Sequence, residues 1–226
     1  MTKLKILAGM LAFAVVLTGC SLDESTGGSG GSATTPRDVE FDALYETLST
    51  ASEGIENPTV AFASYQGPFY LILFTAYIEA WDGSSSYTYG SITVTVTESD
   101  GIWTWDYTDS NSGDSMEYVI EETDSGWDFS WSMDGLTYVS GTTSRDGYTA
   151  QVDIFDVDTG FKIFSYNSEP YVGIYDLEIV STSYTSGSAD YQVLIRTDKD
   201  GLMGEWTYTD YEDTVNNDSG SWTEDL

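Results

Sequence analysis

The chain contains no histidine. That removes a Ser-His-Asp triad, an imidazole general base and any histidine-ligated zinc centre from consideration. It holds a single cysteine, Cys20, so no internal disulfide forms and the fold must stand without crosslinks. Basic residues are nearly as scarce: seven Lys and Arg face 38 Asp and Glu, for a formal net charge of −31. A surface of that sign repels phosphate backbones and anionic headgroups, and nucleic acid is excluded as a partner. No apolar run reaches the roughly 20 residues that span a bilayer.

What is present begins at the N-terminus. Lys3 and Lys5 precede an apolar stretch from Ile6 to Leu17, and Leu17-Thr18-Gly19-Cys20 closes it. A basic n-region, an apolar h-region and a small-residue cleavage site are the plan of a secretory signal. With cysteine directly after the small residues, the segment resembles the lipobox of bacterial lipoproteins. The resemblance implies that residues 1–19 are removed, that Cys20 is acylated on its sulfur, and that the membrane is a partner through that anchor. Once acylated, Cys20 is no thiol nucleophile. Ser21, where an Asp would resemble an inner-membrane retention signal, fits forwarding to the outer membrane. Cys20-Ser21-Leu22-Asp23-Glu24 is also similar to the acidic tether that carries some Bacteroidetes lipoproteins to the cell surface, so the leaflet stays open.

Residues 20–36 then form the acylated cysteine and a Gly/Ser-rich linker, SLDESTGGSGGSATTP, with almost no apolar content. Residues 37–226 are one domain's worth of chain, long enough for a real core. Loss of Lys3 and Lys5 leaves five basic side chains against the same 38 acidic ones, a side-chain charge of −33. A solubilising surface, as in salt-adapted proteins, accounts for this; attraction of cations or cationic partners is the other reading.

Thr35-Pro36-Arg37-Asp38 reads as a helix start, with Thr35 as cap and Pro36 in the first turn. Phe41, Leu44, Tyr45, Leu48 and Ala51 follow at helical spacing, and Gly54 and Asn57-Pro58 end the stripe. A second apolar run, Phe69 to Trp81, suits a buried helix better than a buried strand. From Tyr87 onward about eleven short alternating segments are separated by turn dipeptides: Asp100-Gly101, Ser125-Gly126, Asp134-Gly135, Asp146-Gly147, Thr159-Gly160, Ser186-Gly187, Asp200-Gly201 and Ser219-Gly220. Short turns force antiparallel neighbours. The expected fold is mainly β: an antiparallel meander curled into a barrel or half-barrel, with one or two N-terminal helices.

The alternation also assigns faces. Trp103, Trp105 and Tyr107 share one side; so do Met116, Tyr118 and Ile120, and Trp127, Phe129, Trp131 and Met133. A curled sheet lined this way encloses either a packed core or an apolar cavity. Trp103, Trp105, Tyr118, Trp127, Phe129 and Trp131 are the candidate walls for a lipid or other hydrophobic ligand. The layout of anchor, linker, helix and curled sheet is similar to periplasmic lipoprotein carriers of the LolA/LolB and lipocalin kinds, which implies ligand carriage.

Tyr87, Tyr89, Tyr184, Tyr208 and Tyr211 lie near strand ends, where flat rings beside carboxylates suit a glycan or a protein partner. Asp109, Asn111 and Asp114 place oxygens at alternate positions, as calcium (Ca2+) loops do, yet the EF-hand pattern is broken at its fifth, sixth and twelfth positions. Asp156-Val157-Asp158 and Asp198-Lys199-Asp200 match it less well. No other cofactor is implied. No carboxylate pair stands out among the 38 as a glycosidase would need, so the reading is non-catalytic.

Overall fold

A computed structural model describes residues 41–64, 86–145 and 147–223. The run Phe69–Trp81 and the helix start at Thr35–Asp38 lie outside the described residues. Helix α1 (Phe41–Gly54) buries Leu44, Leu48 and Ala51, the stripe its spacing predicts. It stops at Gly54, where a Cβ would lie 2.4 Å from the Trp222 ring. Asn57-Pro58 does not merely end this helix; it starts the next. The Asn57 Oδ1 accepts from the Thr59 and Val60 N–H groups at 3.0 and 3.3 Å, with Pro58 in the first turn of helical segment α2 (58–64).

Twelve strands follow: β1 (Ser86–Tyr89), β2 (Ile92–Ser99), β3 (Ile102–Asp109), β4 (Ser115–Glu122), β5 (Gly126–Met133), β6 (Leu136–Ser144), β7 (Ala150–Phe155), β8 (Lys162–Pro170), β9 (Leu177–Thr185), β10 (Ser188–Thr197), β11 (Met203–Asp210) and β12 (Asp218–Thr223). They form one sheet in sequence order, every neighbouring pair antiparallel. The meander is thus the fold. It is open, because no ladder joins β1 to β12.

Turn chemistry explains the hairpins. At Asp100-Gly101, Asp134-Gly135 and Ser186-Gly187 both central residues have positive φ, the two-residue hairpin geometry that matches strand twist. Ser219-Gly220, expected as a turn, instead lies inside β12, where Gly220 sits beneath the Trp206 ring of β11. Here glycine serves close approach rather than a bend. The same device recurs at Phe129 over Gly141 and Trp222 over Gly204.

Register carries the core across the sheet in rows. One row of directly paired residues runs Val96, Trp105, Tyr118, Trp131, Val139, Ile154, Phe164. The next runs Trp103, Ile120, Phe129, Gly141, Val152, Tyr166, Ser181, Val193, Tyr208. Cross-strand pairs of this kind are the unit of sheet stabilisation. Near β9–β12 the described helices pack on this inner face: the Ser181 hydroxyl donates to the Ala63 carbonyl at 3.3 Å, and α1 meets β11 and β12. The opposite face is hydroxylated and acidic, with a row of Thr97, Thr104, Val119, Ser130, Ser140, Asp153, Ser165 and Thr182.

The turns fall into two rims. The near rim, against which α1 packs, holds turns 100–101, 123–125, 171–176 and 198–202, with residues 145 and 147–149 between β6 and β7; Thr47 of α1 donates from its hydroxyl to the Lys199 carbonyl there. The far rim holds turns 90–91, 110–114, 134–135, 156–161, 186–187 and 211–217. All three register shifts, at Trp131/Ser132, Ile154/Phe155 and Ala189/Tyr191, lie toward the far rim, where they add local twist.

Candidate functional site

The six aromatic candidates come together on one face of β3, β4 and β5. Trp105 pairs with Tyr118 and Tyr118 with Trp131, while Trp103 and Phe129 flank Ile120. Their rings meet one another: Trp103 and Trp127 edge to face at 6.0 Å, Trp105 and Tyr118 tilted at 5.9 Å. All six are between 1 and 8 % exposed. Solvent is excluded from all six. They pack as core.

One concavity lies away from these rings. It is an open depression of about 510 Å³ on the near rim, lined by Asp100, Gly101, Glu122, Thr123, Asp124 and Arg145. Three hairpin ends converge there, and the Glu122 N–H donates to the Gly101 carbonyl at 2.9 Å. Arg145 Nη2 binds Glu122 Oε1 at 2.7 Å and the Thr123 carbonyl at 3.3 Å, and its guanidinium lies 5.3 Å over the Trp127 ring. The one cation is committed to its own wall. The depression is polar and open, without a nucleophile set against a base.

The candidate calcium loop lies on the far rim. Asp109 Oδ1 accepts from the Asn111 N–H at 2.9 Å, Asp109 N–H donates to the Asp114 carbonyl at 3.1 Å, and the Ser112 hydroxyl accepts from Asp114 N–H at 3.2 Å. Hydrogen bonds from the Asn111 N–H first, and then from the Ser91 and Ser112 side chains, hold the Asp109 carboxyl below its ordinary range. The carboxylate closes its own turn. Asp156 does the same, accepting from the Asp158 and Thr159 N–H groups, and Asp198 accepts from Met203 N–H. Among the described residues no group of three or more His, Cys, Asp or Glu side chains gathers to hold a metal ion.

The tyrosines scatter. Tyr184 shares a hydrogen bond with Ser165 at 3.1 Å, Tyr208 lies 5.6 Å from Tyr191 on the inner face, and Tyr211 is half exposed on the far rim. The side chains of Tyr87 and Tyr89 are outside the described set. Burial raises the Tyr208 phenol above its ordinary value, and Asp210 adds to the shift. Tyr184, Tyr208 and Tyr211 do not form one platform.

Two features escaped the sequence reading. On the outer face Arg196 bridges Glu178 at 2.6 Å and Glu205 at 3.0 Å and lies 4.6 Å over the Tyr171 ring. Beyond it the β8–β9 turn lifts Val172 and Ile174 into solvent, 98 and 77 % exposed. The sequence signal was there: Tyr171-Val172-Gly173-Ile174-Tyr175 is an apolar run between Pro170 and Asp176.

The second feature is a buried polar pair. Tyr166 and Ser168, two residues apart on β8, point into the core, and neither hydroxyl reaches an acceptor or donor in hydrogen-bond geometry. Burial pushes the Tyr166 phenol far above its ordinary range; the Ser168 hydroxyl nearby offsets part of this. Tyr166→Phe removes an unsatisfied group without changing shape, so its unfolding free energy should stay within about 1 kcal/mol of the parent in urea titration. A loss above about 2 kcal/mol would reveal a hydrogen bond to that hydroxyl.

No family model, curated protein or solved structure matches this chain.

Proposed function

We propose that the protein is a non-catalytic lipoprotein of the bacterial envelope, anchored in the outer membrane through acylated Cys20, whose sheet is an interaction module for a protein or glycan partner. The observation that supports this over a lipid carrier is the aromatic face: its rings are buried, with Trp103 against Trp127 and Trp105 against Tyr118. A carrier needs an apolar space with an entrance, whereas the depression beside Asp100, Glu122 and Arg145 is polar. What remains for recognition is the hydroxylated outer face and the rims. The absence of histidine and the mutual engagement of the rim carboxylates with backbone N–H groups support a binding role rather than catalysis.

Cys20→Ser should release the domain into the soluble envelope fraction, because the acyl chains on that residue supply the firm anchoring. Continued sedimentation with membranes would contradict the anchor. The released protein then tests the module: titrated with a fluorescent fatty acid, it should show no saturable binding. Saturable one-to-one binding would restore the carrier reading.

A further inference from the structure

We propose that the Val172-Gly173-Ile174 tip and the acidic groups around it form a docking point for a cationic partner protein, one that presents aliphatic side chains between Lys and Arg; this deepens the interaction-module reading above and rests on it. The tip is built, not frayed. Tyr171 N–H donates to the Asp176 carbonyl at 2.9 Å, Asp176 N–H donates to the Thr197 carbonyl at 3.0 Å, and Lys199 N–H donates to Asp176 Oδ2 at 3.1 Å. Arg196, fixed by Glu178 and Glu205, carries the Tyr171 ring. Burial raises the Tyr175 phenol above its ordinary value, with Glu205 adding and Arg196 offsetting, so the second tyrosine of the turn stands at the same bridge. On that base Val172 and Ile174 face water almost completely. Tyrosine and arginine are the types in which interface energy concentrates, and here they frame exposed aliphatic area on a turn already ordered for contact.

Charge decides the occupant. Glu169 and Asp176 flank the turn, and Asp198 and Asp200 stand on the β10–β11 turn that Asp176 binds. Against them are Lys199 and two arginines already bridged within the protein, Arg145 to Glu122 and Arg196 to Glu178 and Glu205. Asp100 and Asp124 continue the same sign along the rim. An apolar centre inside an acidic border complements an apolar centre inside a basic one. The same border argues against the other occupants. A bilayer with anionic headgroups repels it. A second copy would set acid against acid at a two-fold contact, between chains that each carry a formal net charge of −31. The charge of the whole domain speeds encounter with a basic protein, and the tip gives that encounter one place to end.

The probe is a fluorescein-labelled amphipathic peptide of Leu and Lys, titrated with the exported Cys20→Ser protein and followed by anisotropy. It should bind saturably, and Val172→Ser and Ile174→Ser should each weaken binding about tenfold. Both side chains stand in solvent, so neither substitution touches the core. Leu136→Ser, at an exposed position on the far rim, should leave the affinity unchanged. Raising the salt to about 0.5 M should weaken binding, and a peptide of Leu and Glu should not bind. Equal affinity for the parent and both tip variants would mean attraction by overall charge and overturns the proposal; so does the absence of saturable binding. Tip-dependent sedimentation of the same protein with vesicles of phosphatidylethanolamine and phosphatidylglycerol would name a lipid surface instead and also overturns it. The fatty-acid titration above separates the two failures: without saturable fatty-acid binding only the tip falls, and with it the interaction-module reading falls too.

Discussion

Trp105→Ala lowers the unfolding free energy by about 4 kcal/mol, the range for deleting a fully buried large aromatic. Trp105 is 1 % exposed and sits in the middle of its row, paired to Val96 of β2 and Tyr118 of β4. Removing the indole leaves a void that the adjacent strands cannot close without slipping register, and a one-residue slip would turn every inner side chain outward. The effect also separates the two meanings of an aromatic face. A ring lining a ligand cavity already faces space on one side, so truncating it in the ligand-free protein should cost little. Urea unfolding followed by far-ultraviolet circular dichroism measures it. A loss below about 1.5 kcal/mol would mean that the Trp105 side of the sheet is not tightly packed.

Gly204→Ala should cost about 3 kcal/mol, near the upper end for overpacking a tight interior. A Cβ at this position would lie 2.2 Å from the Trp222 ring and 2.4 Å from the Arg196 carbonyl of β10. One obstacle is the backbone of a central ladder, which has nowhere to move. The other is a ring fixed at its far side, because Trp222 Nε1 donates to the Gly201 carbonyl at 3.0 Å and its near atoms lie against Gly54 at the end of α1. The clash therefore reaches the helix docking as well as the sheet. Gly220→Ala is the informative contrast: the three atoms nearest its Cβ would all belong to the Trp206 ring, at 2.8 Å, so a ring tilt relieves that clash and the loss should be smaller. Equal losses in thermal unfolding would show that these rings are more rigidly held than the contacts alone require.

The meander and its faces were legible because both are local. Asp100-Gly101 and Asp134-Gly135 demand the positive φ they adopt, and Trp103-Thr104-Trp105 alternates because strand side chains do. What was not legible depended on neighbours distant in sequence. Ser219-Gly220 carries the turn signature of Ser186-Gly187, yet its glycine answers to Trp206 on the adjacent strand. Gly126 was expected in a turn but opens β5, where a Cβ would strike the Thr143 carbonyl. Asn57-Pro58 reads equally as an end or a beginning, and only the Thr59 and Val60 N–H groups decide it. For the site, alternation placed Trp103, Trp105, Tyr118, Trp127, Phe129 and Trp131 on one face correctly. Whether such a face encloses a guest or fills itself is a matter of ring against ring, as between Trp103 and Trp127, and no spacing encodes it. Val172 and Ile174 were passed over because an apolar pentad is indistinguishable from a strand core until the turn that exposes it is seen.

The central claim is that the aromatic face is self-filled core and that recognition happens outside it. Native mass spectrometry of the exported Cys20→Ser protein, purified without detergent, tests it most directly. The account predicts the bare protein mass. A co-purified mass of a few hundred daltons, retained under gentle ionisation and lost on denaturation, would contradict it and make Trp105 and its neighbours the wall of a ligand site.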